Sequence, residues 1–129
     1  QEEGFDSSEH DQSGDSEYIQ AVWSQIEDEM GLELLRELVG EFTSSLRTSV
    51  ERCAEENISG QDLIDVAHAL KPTATMLGLQ KLSDCCHRVD DLKGQSEALA
   101  LALRSELSEQ MMMAEAMIQR ETNARRLAL

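Results

Sequence analysis

The stretch that decides the fold runs from Ser59 to Gly78 and reads SGQDLIDVAHALKPTATMLG. Ser59 and Asp62 have the spacing of a capping box, in which two side chains satisfy free backbone amides at the start of a helix. Apolar residues then recur at steps of three and four, on one side of a helix, as Leu63, Ala67, Leu70, Ala74 and Leu77. The pattern predicts an amphipathic helix that begins after Ser59 and ends before Gly78.

Comparable apolar periods occur on both sides of this helix. They predict further helices over about residues 16–30, 34–53, 79–93 and 96–121. Asp15 or Ser16 would cap the first helix, and Gly31 would end it. The inner stripe of the last helix is predicted as Leu99, Ala102, Leu103, Met113 and Met117. Four long helices with short connections predict an all-α fold, an antiparallel four-helix bundle with a short additional N-terminal helix across one end.

The composition agrees with one helical domain, and the net charge limits the classes of binding partner. The chain has 129 residues, of which 40% are hydrophobic and only 3% aromatic, and this favours helices over sheets. Eleven Lys and Arg against 26 Asp and Glu give a net charge of −15. Such a charge repels nucleic acid and bare anionic membrane, so neither is an expected partner. Three cysteines, with two of them adjacent, fit a reducing cytoplasm better than a disulfide framework.

The predicted domain occupies residues 16–124, between two polar ends. Residues 1–15 hold Ser, Gly and acids without Lys or Arg, which predicts a disordered acidic tail or linker. Residues 125–129 are predicted as a C-terminal tail. Because the chain starts at Gln1 rather than Met, we expect a piece of a longer protein.

His68 lies off the apolar stripe of the central helix. At 100° per residue it is roughly 140° from the stripe centre, so packing does not need it and we expect it to face solvent. Ile64 is predicted as an exposed apolar neighbour, and Lys71 shares the face of His68. Asp65, one turn earlier, can hold one ring nitrogen. A solvated imidazole is a nucleophile near neutral pH, and a nearby lysine can neutralise phosphoryl oxygens.

These residues resemble the signature of the histidine-containing phosphotransfer (HPt) domain family. The family pattern A-H-x-L-K-G has its counterpart in Ala67-His-Ala-Leu-Lys71, and Gly78 and Leu82 match a later Gly and Leu. Cys86 falls where the family has a small residue or Cys. The resemblance extends over roughly residues 18–122.

The resemblance implies a phosphorelay carrier without kinase activity of its own. His68 would take a phosphoryl group from a receiver-domain aspartate and pass it to another receiver. No cofactor is expected on this chain, since the receiver would supply Mg²⁺. Lys71 would lie beside the phosphoryl group, with Gln80 and Asp90 from the next helix. The receiver-docking residues would be Ile19, Val22, Ile26, Ile64, Pro72 and Thr75.

The resemblance also bears on location and context. The acidic segment 1–15 would link the domain to an upstream receiver of a hybrid sensor kinase, so that a kinase partner acts in cis. We expect a cytoplasmic protein, or the cytoplasmic part of a membrane-bound kinase.

Pro72 departs from the family, which usually has Gly, and sometimes another small residue, after the lysine. A proline inside a helix removes one backbone hydrogen bond and crowds the carbonyl of His68, so we predict a kink there with His68 still outward. Pro72 keeps open a second hypothesis, an interaction module that binds a receiver or kinase without being phosphorylated. A third hypothesis is a di-metal bundle, drawn from Asp65-x-x-His68 and Asp84-x-x-His87. Both histidines are predicted to point away from the core, which disfavours it.

Overall fold

The structure is a computed structural model that describes the backbone of residues 3–127 and the side chains of residues 15–127. Its six helices are α1 Glu3–Met30, α2 Leu32–Cys53, α3 Gly60–Met76, α4 Gln80–Asp90, α5 Glu97–Ala102 and α6 Arg104–Arg125. No strand occurs within residues 3–127, so the predicted all-α class is confirmed. No helix in this part of the chain has both the length and the apolar character of a membrane span.

Four of the helices form a ring around one core. α2 packs on α3, α3 on α4, α4 on α6, and α6 returns to α2. Short connections join α2 to α3 and α3 to α4, as expected for antiparallel neighbours, whereas α5 lies in the connection between α4 and α6. The core side chains that the ring encloses include Leu35, Leu46, Leu63, Leu70, Leu82, Val89, Leu107, Met111 and Ile118. The predicted four-helix bundle is therefore confirmed.

The start and end of α3 follow from local chemistry. The Asp62 amide donates to Ser59 Oγ at 3.0 Å, and the Ser59 amide donates to Asp62 Oδ2 at 3.2 Å. These two bonds are the predicted capping box. At the other end, Gly78 adopts a φ of 81°, a left-handed conformation that side chains other than glycine disfavour. The chain then enters α4 at Gln80, and this short turn places α4 alongside α3.

α1 covers the end of the bundle that contains the α3–α4 turn. The Trp23 side chain is fully buried, and its indole N–H donates to the Leu77 carbonyl at 3.0 Å. Arg125 of α6 also pairs with Glu27 of α1 at 3.1 Å. The prediction of a short first helix is wrong, because α1 has 28 residues and begins at Glu3.

The longer α1 has a physical reason. Extending an existing helix gains one backbone bond per ordered residue, and acidic side chains favour the positive N-terminal end. The helical bounds therefore include residues 3–14, which the sequence assigns to a disordered tail. Residues 1–2 and 128–129 of the predicted tails lie outside the described residues. The linker role of segment 1–15 stays a prediction.

The predicted fifth helix is divided at Leu103 into α5 and α6. Arg104 anchors the break by donating to the carbonyls of Cys53 and Glu55, both at 2.7 Å. The predicted inner stripe is wrong at Leu99, which is 54% exposed, and at Ala102, which is also exposed, whereas Leu103 and Met117 pack against the core partly buried. The fully buried residues are Ala100, Leu107, Met111, Ala114 and Ile118. The turn of 100° per residue holds only within one continuous helix. Positions before and after the break therefore cannot be placed on one helical face by a single count.

Two helical glycines give a matched test of this packing. A Cβ at Gly60 would clash with the backbone of Glu97 at the start of α5, whereas a Cβ at Gly40 meets nothing within 4 Å. Gly60→Ala is therefore expected to lower the free energy of unfolding by about 1–3 kcal/mol. Gly40→Ala should raise it by about 0.5–1 kcal/mol, since alanine favours a helix interior. Urea titrations of both variants check this, and equal effects would contradict the described α3–α5 contact.

Candidate functional site

His68 projects from the middle of α3 into solvent. Its side chain is 67% exposed, while Ala67 and Leu70 on the same turn are buried. The prediction that this imidazole faces outward is confirmed. Pro72 does not end the helix, which continues to Met76. The predicted kink at the His68 carbonyl stays a prediction.

One carboxylate on α4 contacts both polar groups of this face. His68 Nδ1 lies 3.3 Å from Asp90 Oδ1 and 3.4 Å from Oδ2, and Lys71 Nζ lies 2.8 Å from Oδ2. Asp90 is only 14% exposed, because α3 and α4 pack side by side around it. A carboxylate only accepts hydrogen bonds, so in this contact Nδ1 carries the proton. The free lone pair of the neutral ring is then on Nε2.

The electrostatics of this cluster keep the ion pair charged. The hydrogen bond from Lys71 is the main cause that lowers the pKa of Asp90, and the hydrogen bond from His68 acts in the same direction. The hydrogen bond to Asp90 is likewise the main cause that raises the pKa of Lys71. Asp90 is therefore an anion and Lys71 a cation at neutral pH. The charged groups beside His68 are thus one carboxylate and one ammonium that bind each other.

The two adjacent thiols of α4 are part of the core. Cys86 is fully buried, as predicted for a small core residue, and burial is the main cause that raises its pKa to about 12. Burial likewise raises the pKa of Cys85 to about 11. Both thiols stay protonated at neutral pH, so neither is a nucleophile there.

Two residues predicted to form a docking surface lie inside the protein instead. Ile64 and Ile19 are each 2% exposed, so their assignment to an exposed surface is wrong. α3 contacts α2, α4 and α5, so its buried arc is wider than one apolar stripe. Val22 and Ile26 are half-buried against the core.

The other two predicted docking residues are exposed. Pro72 and Thr75 both lie on α3, on the turns that follow His68. The Thr75 hydroxyl donates to the Lys71 carbonyl at 2.9 Å and lies 2.6 Å from Ser83 Oγ of α4. Ser83 was not predicted for this face. Its only signal in the sequence is the seven-residue spacing to Asp90, two turns of one helix face.

Asp65 and Gln80 do not join the His68 cluster. Asp65 accepts a hydrogen bond from Gln61 at 3.0 Å, so the prediction that it holds the ring is replaced by the observed contact with Asp90. Gln80 begins α4 and lines a pocket against α6 with Met113 and Met117. Among the described side chains, no hydrogen bond links Gln80 to His68.

The positions of the histidines disfavour the di-metal hypothesis. His87 is exposed like His68, and its Nε2 lies 3.4 Å from Asp91 Oδ2. Bundle di-metal sites need histidines and carboxylates that project between the helices. Within residues 15–127, no group of three or more His, Cys, Asp or Glu is arranged to hold a metal.

A four-helix bundle that presents an exposed histidine beside a lysine is the arrangement expected of a histidine phosphocarrier. The family model of the Hpt domain matches residues 29–121, most of the chain, which therefore belongs to the Hpt domain family. Hpt domains are phosphocarriers of two-component signalling without intrinsic kinase activity, and they interact with response-regulator receiver domains. No curated protein and no solved structure matches this chain.

Proposed function

We propose that this chain carries phosphoryl groups in a phosphorelay, with His68 as the phosphoacceptor. The observation that supports this most is the exposed ring, whose Nδ1 is turned to Asp90 so that the Nε2 lone pair is available to a partner. The donor would be the phosphorylated aspartate of one receiver domain, and the acceptor would be the aspartate of another. The match to the Hpt domain family supports the class of reaction.

The transfer is a single in-line displacement at phosphorus. The Nε2 lone pair forms the N–P bond while the bond between phosphorus and the receiver's carboxylate oxygen breaks, and that carboxylate leaves with the electron pair. Nδ1 keeps its proton, and the positive charge gained by the ring is stabilised by Asp90. Onward transfer is the same step in reverse with another receiver. Mg²⁺ on the receiver would neutralise the phosphoryl oxygens, so no cofactor is proposed for this chain.

The receiver would approach along the exposed part of α3. Pro72 and Thr75 follow His68 on this side, and Met76 adds an exposed apolar side chain at the end of the helix. The half-buried Val22 and Ile26 of α1 would contribute at most their exposed edges. This patch replaces the larger apolar surface that Ile19 and Ile64 were predicted to provide.

An interaction module without phosphorylation is the second candidate, and Pro72 is the observation that favours it. The proline ring is exposed one turn after His68, where the family leaves room with glycine. A receiver blocked by this ring could bind without reaching Nε2. The two candidates differ in whether a bound receiver loses its phosphate to this chain.

Intact-protein mass spectrometry separates them. The chain is mixed with a phosphorylated receiver and Mg²⁺, and the expected product is an acid-labile adduct of one phosphoryl group, mapped by peptide sequencing to His68. Chelation of Mg²⁺ should slow the transfer, because the receiver's phosphoryl oxygens lose their counter-charge. An adduct on another residue, or a receiver that keeps its phosphate while bound, would contradict the proposal.

Lys71→Ala is expected to slow transfer to His68 by about tenfold. Its ammonium binds the same Asp90 carboxylate that the His68 ring contacts, and removing a positive charge from a site of developing negative charge costs rate. The effect is smaller than at a fully enclosed site because the Lys71 side chain is 30% exposed. Quenched-flow kinetics with a phosphorylated receiver measure it.

Lys81→Ala is the matched control for Lys71→Ala. Lys81 is an exposed lysine of α4 that pairs with Asp15 at 3.3 Å, away from the Asp90 cluster. Its removal should leave the transfer rate unchanged. Equal slowing in both variants would indicate a general charge effect and would count against a local role of Lys71.

A further inference from the structure

Asp90 contacts both the His68 ring and the Lys71 ammonium, and each contact affects a phosphoryl group on His68 in its own way. Its carboxylate lies 3.3 Å from His68 Nδ1 and 2.8 Å from Lys71 Nζ. We propose that Asp90 is a positioning residue that shortens the lifetime of the phosphohistidine and so favours release of the phosphoryl group over its storage. The inference rests on the proposed function, since it requires His68 to be the phosphoacceptor.

The first argument concerns the leaving group. With the phosphoryl group on Nε2 and a proton on Nδ1, the ring carries a positive charge. When water or a receiver carboxylate forms its bond to phosphorus, the N–P bond breaks, its electron pair returns to Nε2 and a neutral imidazole leaves, with the Nδ1 proton still in place. A ring without that proton would have to leave as an anion, which is far slower. A carboxylate at hydrogen-bond distance favours the protonated ring, so Asp90 raises the fraction that can release phosphate.

The second argument concerns Lys71. Its ammonium binds Oδ2 of the Asp90 carboxylate at 2.8 Å, while Oδ1 lies 3.3 Å from His68 Nδ1. A phosphoryl group on Nε2 would have to compete with Asp90 for this cation. Lys71 therefore holds the phosphorylated state less firmly than an unpaired lysine would. Both arguments point to a labile phosphohistidine.

The other charged groups around the ring do not oppose this effect. On α3, Asp65 lies one turn before His68 and is bound by Gln61. Just after the end of α4, Asp91 is exposed and lies 3.4 Å from His87 Nε2. The Cys86 thiol below is neutral, since burial raises its pKa to about 12. Within residues 15–127, Asp90 is the one carboxylate in contact with the His68 ring.

Asp90→Asn tests the inference with almost no change of shape. The phosphorylated domain is separated from its receiver, and the loss of acid-labile phosphate is followed between about pH 6 and pH 9, the range around imidazole titration. The asparagine amide can donate to an unprotonated Nδ1 or accept from a protonated one, but it lacks the negative charge that favours the charged ring. We expect about tenfold slower loss at neutral pH and a pH profile displaced downward by about one unit.

Two companion variants isolate the charge of Asp90. Asp91→Asn removes the same charge from the neighbouring residue and should leave the profile of the wild type unchanged. Asp90→Glu keeps the carboxylate and should stay close to the wild-type rate. A merely structural role of Asp90 would not displace the pH profile, which is why the profile is measured in addition to the rate.

The outcomes distinguish the inference from the proposed function. If His68 becomes phosphorylated and Asp90→Asn follows the wild-type profile, the inference is overturned while the phosphocarrier function stands. If Asp90→Glu slows phosphate loss as much as Asp90→Asn, the charge is not the cause and the inference is likewise overturned. If the wild-type chain never carries phosphate on His68, the proposed function fails first and the inference fails with it.

Discussion

Replacing His68 with glutamine is expected to abolish phosphoryl acceptance. The rate at which the chain gains acid-labile phosphate should fall at least about a thousandfold. The side chain supplies the nucleophile, and an amide nitrogen has no lone pair of comparable reactivity. Glutamine is polar and tolerated in helices, so the exposed position should keep its fold. The measurement is transfer of labelled phosphate from a phosphorylated receiver, with folding checked by circular dichroism.

His87→Gln is the matched control for the loss at His68. His87 is also an exposed helical histidine, it also has a carboxylate partner, and it lies on the adjacent helix α4. The control variant should accept phosphate at the wild-type rate. If both variants lost activity equally, or if His68→Gln still carried acid-labile phosphate, His68 would not be the phosphoacceptor.

Replacing Trp23 with alanine should cause the largest loss of stability, about 3–5 kcal/mol in the free energy of unfolding. The indole is fully buried between α1 and the end of the bundle, and its N–H satisfies the carbonyl of Leu77. Truncation leaves a cavity and an unpaired carbonyl at the end of α3. Chemical denaturation of the variant and the wild type measures the difference.

Tyr18→Ala provides the comparison for Trp23→Ala. Tyr18 is an aromatic residue of α1 that remains exposed, although its ring lies near Gly78. Tyr18→Ala should lower the free energy of unfolding by about 1 kcal/mol or less, as is usual for exposed positions. A loss at Trp23 no larger than at Tyr18 would mean that α1 is not docked on the bundle as described.

Local sequence signals sufficed for the scaffold of the site. The capping box at Ser59 and Asp62 fixes where α3 begins, and Gly78 marks where it ends, because both act through the backbone within a few residues. The outward direction of His68 followed from the helical period alone, since an angle on one helix needs no knowledge of its neighbours. The resemblance of Ala67–Lys71 to a family signature then indicated what the imidazole does.

Partners across helices required the tertiary structure. Spacing favoured Asp65 as the ring partner because it lies one turn from His68, whereas the observed partner is Asp90 of the antiparallel α4. Ile64 was predicted as exposed from its own helix, yet three neighbouring helices enlarge the buried arc of α3.

The sequence by itself thus determined the helices of the bundle, the cap and end of α3, and the exposed histidine. Each of these depends on interactions within a turn or two of the chain. Only the tertiary structure decided that Asp90 joins His68 to Lys71, and that the last helical segment breaks at Leu103. These features depend on how one helix is placed against another, and the periodicity of a single helix carries no information about that placement.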